Sequence, residues 1–153
     1  MLTSIQFKTI IPENSEKTVN RKRLIDHIDN SLNNSTKLFL VAAPAGYGKT
    51  TLISEWISLQ GKSIVWLTLD EEDNDLRKFI AGIILSFNSL NKNYFKNTRN
   101  LFDLPKFIGN NSILSSFFNE LSQINKEIVL VLDDYHYIEN KEVNEIFKKT
   151  LKY

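Results

Sequence analysis

Apolar and polar positions alternate along the chain in blocks that predict helices and strands in turn. Residues 1–20 form a polar, partly extended lead-in with Pro12 inside it. From Arg21 to Leu32, the residues Leu24, Ile25, Ile28 and Leu32 share one helical face. Lys37 to Ala43 (KLFLVAA) is an apolar run between polar flanks, the pattern of a buried parallel strand. Thr50 to Leu59 then reads as a helix with Leu52, Ile53, Trp56 and Ile57 inward. Ser63 to Leu69 (SIVWLTL) predicts a second strand, followed by the acidic run Asp70 to Asp73. Leu76, Phe79, Ile80, Ile83, Ile84 and Phe87 recur at the spacing of an amphipathic helix. Asn88 to Asn111 is polar and weakly patterned, and reads as a long loop. Ile113 to Ile124 predicts another helix, Ile128 to Leu132 (IVLVL) a third buried strand, and Val143 to Leu151 a final helix. Such alternation predicts an α/β layer fold with a parallel sheet flanked by helices.

Composition narrows the chemistry. The chain has 153 residues, the size of one domain. With 42% hydrophobic and 24% charged residues it can bury a core. Nineteen basic and eighteen acidic side chains give a formal net charge of +1, so no global charge surplus points to nucleic acid or to a cationic partner. Cysteine is absent, which removes disulfides, thiolate metal sites and a cysteine nucleophile. The two histidines, His27 and His136, are too few for a histidine-rich metal centre. The opening residues lack the basic and apolar regions of a signal peptide. No apolar run approaches the roughly 18 residues a spanning helix needs, so the expected location is the cytoplasm, away from membranes.

Between the first predicted strand and its helix lies Ala43-Pro44-Ala45-Gly46-Tyr47-Gly48-Lys49-Thr50. It matches the phosphate-loop pattern G-x-x-x-x-G-K-[ST], with Ala43 in place of the first glycine. The chemistry explains the pattern. Peptide N–H groups turned inward make an anion nest, and the next helix adds its positive end. Gly46 and Gly48 permit positive φ and close approach of backbone to phosphate. Lys49 would reach the β- and γ-phosphates, the Thr50 hydroxyl would ligate Mg²⁺, and Thr51 would contact the α-phosphate. A relaxed match of this kind arises by chance in roughly one chain in a hundred of this length, and the strand-before, helix-after context lowers that further.

The third predicted strand ends in Asp133-Asp134. An apolar strand ending in aspartate at a turn is common. After a phosphate loop, such a carboxylate typically holds Mg²⁺ and a second acid orients or deprotonates water. Asp133 takes the metal role and Asp134 the catalytic one. His136 is weighed as a γ-phosphate sensor and as a solvent-facing loop residue, which is the expected reading. Arg21-Lys22-Arg23 is either a nucleotide contact or a solvated helix start. Asp70 to Asp75 reads as an N-capped acidic first turn. Trp56 and Trp66 fall in apolar patterns and are assigned to the core.

The segments LVAAPAGYGKTTLISEW, SIVWLTLDEEDNDLRKFI and IVLVLDDYHYIEN together resemble the ATP-binding domain of the MalT-like, large LuxR-type transcription regulators, a branch of the signal-transduction ATPases with numerous domains. The lead-in stretches Phe7 to Pro12 and Val19 to Leu24 resemble the family's opening, with Asn20 where proline is frequent. The resemblance implies a P-loop NTPase-type domain binding ATP and Mg²⁺. It implies an ATP-driven switch, at most a slow Mg²⁺-dependent ATPase, rather than a metabolic enzyme. Residues 43–51 would hold the triphosphate, Asp133 the metal and Asp134 the water. On this reading residues 1–36 are a lead-in with a short helix, and residues 37–153 are an NTPase domain truncated before its sensor strand. That strand would insert between the two strands at Lys37 and Ile128, so a gap between them is expected. The family's sensor and DNA-binding regions would lie elsewhere in a longer, self-associating protein, and this segment would not touch DNA. The alternatives are a stand-alone P-loop ATPase or small kinase, and a degenerate fragment that binds nothing. A GTPase is disfavoured, because neither Asn91-Lys92 nor Asn140-Lys141 continues to the aspartate of N-K-x-D.

Overall fold

A computed structural model describes residues 7–13, 21–33, 36–104 and 108–153. Part of the expected lead-in, including Val19 and Asn20, lies outside the described residues. The elements are α1 (Lys22–Asn33), α2 (Lys49–Ser58), β1 (Ser63–Thr68), α3 (Leu76–Ser86), α4 (Lys96–Phe102), α5 (Asn110–Leu121), β2 (Ile128–Asp133) and α6 (Lys141–Thr150). Short 3₁₀ turns lie at Glu71–Asn74, Phe87–Ser89 and Tyr135–Tyr137. The chain divides into two compact units, residues 1–10 with 62–153, and residues 11–61. Among the described residues no helix is long and apolar enough to cross a membrane.

The larger unit is a mixed α/β body. β1 and β2 pair in parallel, in a register that sets Ser63 against Ile128 and Thr68 against Asp133. Val65 and Leu67 alternate onto one face of β1 and join Phe79, Ile80, Ile83, Phe117 and Val143 in a single apolar cluster. α3 supplies more of it than any other element, because its apolar residues recur at helical spacing. Its start is capped by Asp75, whose carboxylate accepts from the N–H groups of Arg77 and Lys78.

The acidic run before α3 forms the expected capped turn. Asp70 accepts from Glu72 N, and Asp73 returns the favour by accepting from Asp70 N at 2.9 Å. Asp73 is 3% exposed, so its charge needs a partner. Lys8 provides it, with Nζ 2.8 Å from both Asp70 and Asp73. Burial alone would lower the Lys8 ammonium, but the two carboxylates outweigh burial and hold it above its ordinary 10.5. Burial alone would raise Asp70, but the Lys8 ammonium and the Glu72 N–H hold it below its ordinary 3.8. The Asp70 contribution is full above 3.8 and is lost as pH falls through the lowered value; the Lys8 contribution is full below 10.5 and is lost as pH rises through the raised one. Lys8→Ala should destabilise the chain by about 1–3 kcal/mol at neutral pH, the cost of stranding a buried acceptor. Its urea midpoint should approach that of the unsubstituted chain at both pH extremes. A parallel offset at all pH values would show that the pair adds nothing electrostatic.

Two expectations need correction. The long loop from Asn88 to Asn111 contains the helix α4. Its start is made by a distant side chain: the Glu120 carboxylate accepts from Asn97 N, Thr98 N and Thr98 Oγ1 at 2.6–3.0 Å. Phe95, in the left-handed region at φ 55°, is 1% exposed and stacks on Phe117 at 5.1 Å. The weak polar pattern conceals an element organised by one buried ring and one carboxylate.

The second correction concerns Lys37 to Ala43. This segment belongs to the smaller unit and forms no strand; the described sheet has β1 and β2 alone. Leu38 and Leu40 are exposed, at 52% and 77%. Every residue of β2 is only half-buried, whereas the four central residues of β1 are buried. An apolar run becomes a strand only where another strand's backbone groups meet its own.

The smaller unit is built on α1 and α2. Ile25, Ile28, Leu52 and Trp56 are buried, and the Trp56 indole N–H donates to Asp29 Oδ1 at 2.7 Å. The His27 and Phe39 rings meet edge to face.

Candidate functional site

The loop that the sequence singles out turns through two glycines before α2. Gly46 and Gly48 have φ of 81° and 71°, in the left-handed region that favours glycine. Gly48 is the N-cap of α2, and its carbonyl accepts the helical N–H of Leu52 at 2.9 Å. No side chain caps this helix start, and no acidic residue sits in its first turn. Lys49, Thr50 and Thr51 occupy that first turn. Ala43, Pro44, Ala45, Gly46 and Tyr47 are exposed to solvent, and Tyr47 is 69% exposed.

Two cations lie against the loop. Lys49 folds back across it and donates from Nζ to the carbonyls of Ala43 (2.9 Å) and Pro44 (3.2 Å). Arg21 donates from Nη1 to the carbonyl of Gly48 at 2.8 Å. The left-handed turn favours glycine at Gly48, and a Cβ there would stand 2.7 Å from Arg21 Nη2 and push the guanidinium aside. Arg21 is thus a brace on the loop, a role neither sequence reading of it names. The features of the site (left-handed glycines, an uncapped helix start and two adjacent cations) suit a phosphate.

The acidic pair closes β2. Asp133 is its last residue, half-buried, and its carbonyl accepts from Leu69 N at 3.0 Å. Asp134 turns into the left-handed region at φ 56° and leads into the 3₁₀ turn Tyr135–Tyr137 without a side-chain capping bond. Its carboxylate lies 3.7 Å from His136 Nδ1, and its side chain is 43% exposed. His136 is a solvent-facing residue, 66% exposed, with its ring tilted against Tyr137 at 4.4 Å. Tyr135 is anchored by its hydroxyl to Asn144 Oδ1 at 2.9 Å and packs on Phe147; burial raises its pKa above the ordinary phenol value.

Among the described residues no group of three or more His, Asp or Glu side chains could hold a metal by itself. The loop belongs to the unit 11–61 and the acidic pair to the unit 62–153. A cleft of about 510 Å³ in the smaller unit is lined by Lys22, Asp26, Asp29 and Glu55 among others, and by none of the predicted site residues.

Sequence reading missed Asn74. Its amide bonds the backbone of the loop that follows Asp134, at Tyr137, Glu139 and Asn140. The one sequence signal was an asparagine inside a turn-forming acidic run, which is too common to single out.

No family model matches the chain. Curated relatives do. A protein of Klebsiella pneumoniae subsp. pneumoniae named HTH-type transcriptional regulator MalT is 32% identical over 143 residues, covering 93% of this chain. This chain is MalT-like. A Vibrio campbellii protein of the same name is 34% identical over 117 residues, or 76% of the chain. The chain spans 15% of the length of the Klebsiella relative and 13% of the Vibrio one.

Proposed function

We propose that this chain is the nucleotide-binding part of a MalT-like transcriptional regulator, an ATP-binding switch module that hydrolyses slowly at most. The observation that carries the reading is the backbone of the loop: left-handed Gly46 and Gly48 lead directly into the uncapped start of α2. Its support from similarity is the name of the curated relatives, which is that of a transcriptional regulator.

In this reading residues 37–153 form a P-loop NTPase-type domain, and residues 1–36 its lead-in. Residues 43–51 cradle the triphosphate with backbone N–H groups. Lys49 leaves the carbonyls of Ala43 and Pro44 for the β- and γ-phosphates, exchanging neutral acceptors for charged ones. Arg21 stays on Gly48 and keeps the loop in its binding shape. Thr50 and Asp133 would hold Mg²⁺, which would neutralise phosphate charge. Asp134 orients and deprotonates the attacking water. The partners are ATP, sensor and DNA-binding regions elsewhere in a longer protein, and further copies of that protein. The module itself contacts neither DNA nor membrane, and works in the cytoplasm.

Titration with a fluorescent ATP analogue, with and without Mg²⁺, tests this. The analogue should bind in a Mg²⁺-dependent way and be displaced by ATP. A signal that excess ATP leaves unchanged would overturn the reading.

A further inference from the structure

We propose that Asn74 is the positioning residue for the acidic end of β2, holding the loop that begins at Asp134 in place from the exit of β1. The inference rests on the nucleotide reading above.

The Asn74 amide is saturated. Its Nδ2 donates to the carbonyls of Tyr137 (2.7 Å) and Glu71 (3.1 Å). Its Oδ1 accepts from the N–H groups of Glu139 and Asn140, both at 2.8 Å. An asparagine side chain has two donors and two acceptor positions, and all four are used. The Asn74 carbonyl accepts a further bond from Asn140 Nδ2 at 2.9 Å. Asn140 in turn caps α6 by accepting from Glu142 N. One side chain thus ties residues 137–140 to the turn after β1.

That tie reaches Asp134 in two bonds. The carbonyl of Tyr137 is held by Asn74, and the N–H of Tyr137 donates to the carbonyl of Asp134 at 3.1 Å. Asp134 is a non-glycine residue in the left-handed region. Such a conformation persists only where its surroundings over-determine it. Asn74 supplies that restraint on one side of the loop, and the Tyr135–Asn144 bond on the other. The turn that carries Asn74 is itself pinned, because Asp73 accepts from both Asp70 N and Lys8 Nζ. The chemistry demands asparagine. Aspartate would keep the two accepted bonds and lose both donated ones, and alanine would lose all four.

The test compares Asn74→Ala and Asn74→Asp with the unsubstituted chain. Three readouts are taken: ATP-analogue affinity with and without Mg²⁺, single-turnover ATP hydrolysis, and amide hydrogen exchange at residues 137–140. Metal-free affinity should stay within about twofold, because the phosphate loop is untouched. Single-turnover hydrolysis should slow about 10–100-fold in Asn74→Ala, up to the lower end of the roughly 10²–10⁴ that losing the base itself costs. Asn74→Asp should show a smaller loss, with Glu139 and Asn140 still protected. A purely structural asparagine would lower the melting temperature and leave the hydrolysis rate of the folded protein unchanged. That outcome, in either variant, overturns the positioning role while leaving the nucleotide reading standing. If Asn74→Ala does not fold, Asn74→Asp alone decides, since its accepted bonds remain. An unsubstituted chain that binds no ATP would remove both readings together.

Discussion

Lys49→Ala should reduce Mg-ATP affinity at least a hundredfold while leaving the chain folded. Lys49 is the only cationic side chain in the loop sequence itself, and its Nζ already lies across the loop on Ala43 and Pro44. A hydrogen bond to a charged group contributes about 1.5–3 kcal/mol. Losing bonds to two phosphate groups therefore exceeds the roughly 2.8 kcal/mol that a hundredfold change represents. Arg21 cannot substitute without leaving Gly48, whose carbonyl it holds at 2.8 Å. Stability should change little, by about 0.5 kcal/mol or less, because the carbonyls Lys49 leaves are exposed and water can replace it. Isothermal titration at fixed salt, with a thermal melt as control, measures both. Equal affinities of the two proteins would remove the phosphate-loop assignment.

Asp134→Asn should spare ATP binding and slow hydrolysis, whereas Asp133→Asn should weaken binding only when Mg²⁺ is present. The two carboxylates sit on different backbone. Asp133 ends the strand in register with Thr68, and Asp134 has left it through a left-handed turn. Asparagine tolerates that turn nearly as well as aspartate, so Asp134→Asn changes charge without unfolding the loop. Losing a general base costs about 10²–10⁴ in rate. Single-turnover hydrolysis and metal-dependent titrations on the two variants separate the roles. The opposite pattern would exchange the assignments of Asp133 and Asp134.

The candidate site was legible in the sequence to an uneven degree. Gly46, Gly48 and Lys49 were readable because their meaning is local: a positive φ and a charge at a helix start need no distant partner. Asp133 was readable as the end of an apolar strand. Arg21 was visible only as a basic residue at a helix start. Its attachment to Gly48 spans 27 positions and follows from no periodicity. Asn74 was not legible at all, because its four bonds go to backbone groups, which every residue carries alike.

The amino-acid order by itself determined α1, α2, α3, α5, α6, β1 and β2, with boundaries within a few residues. Their apolar spacing specifies one buried face whatever packs against it. The capped acidic turn at Asp70 to Asp75 belongs with them, since its bonds close within a few residues. The tertiary structure alone decided three things. It made α4 a helix through Glu120, more than twenty positions away. It placed Asp134 in a left-handed turn held from Asn74. It left Lys37 to Ala43 outside the sheet despite an apolar composition that reads as strand. The physical reason is the same in each case. A helix makes its backbone hydrogen bonds within itself, so its sequence can specify it; a strand, a remote cap or a braced loop is a relation between two segments, and only the packed chain determines whether the second one is there.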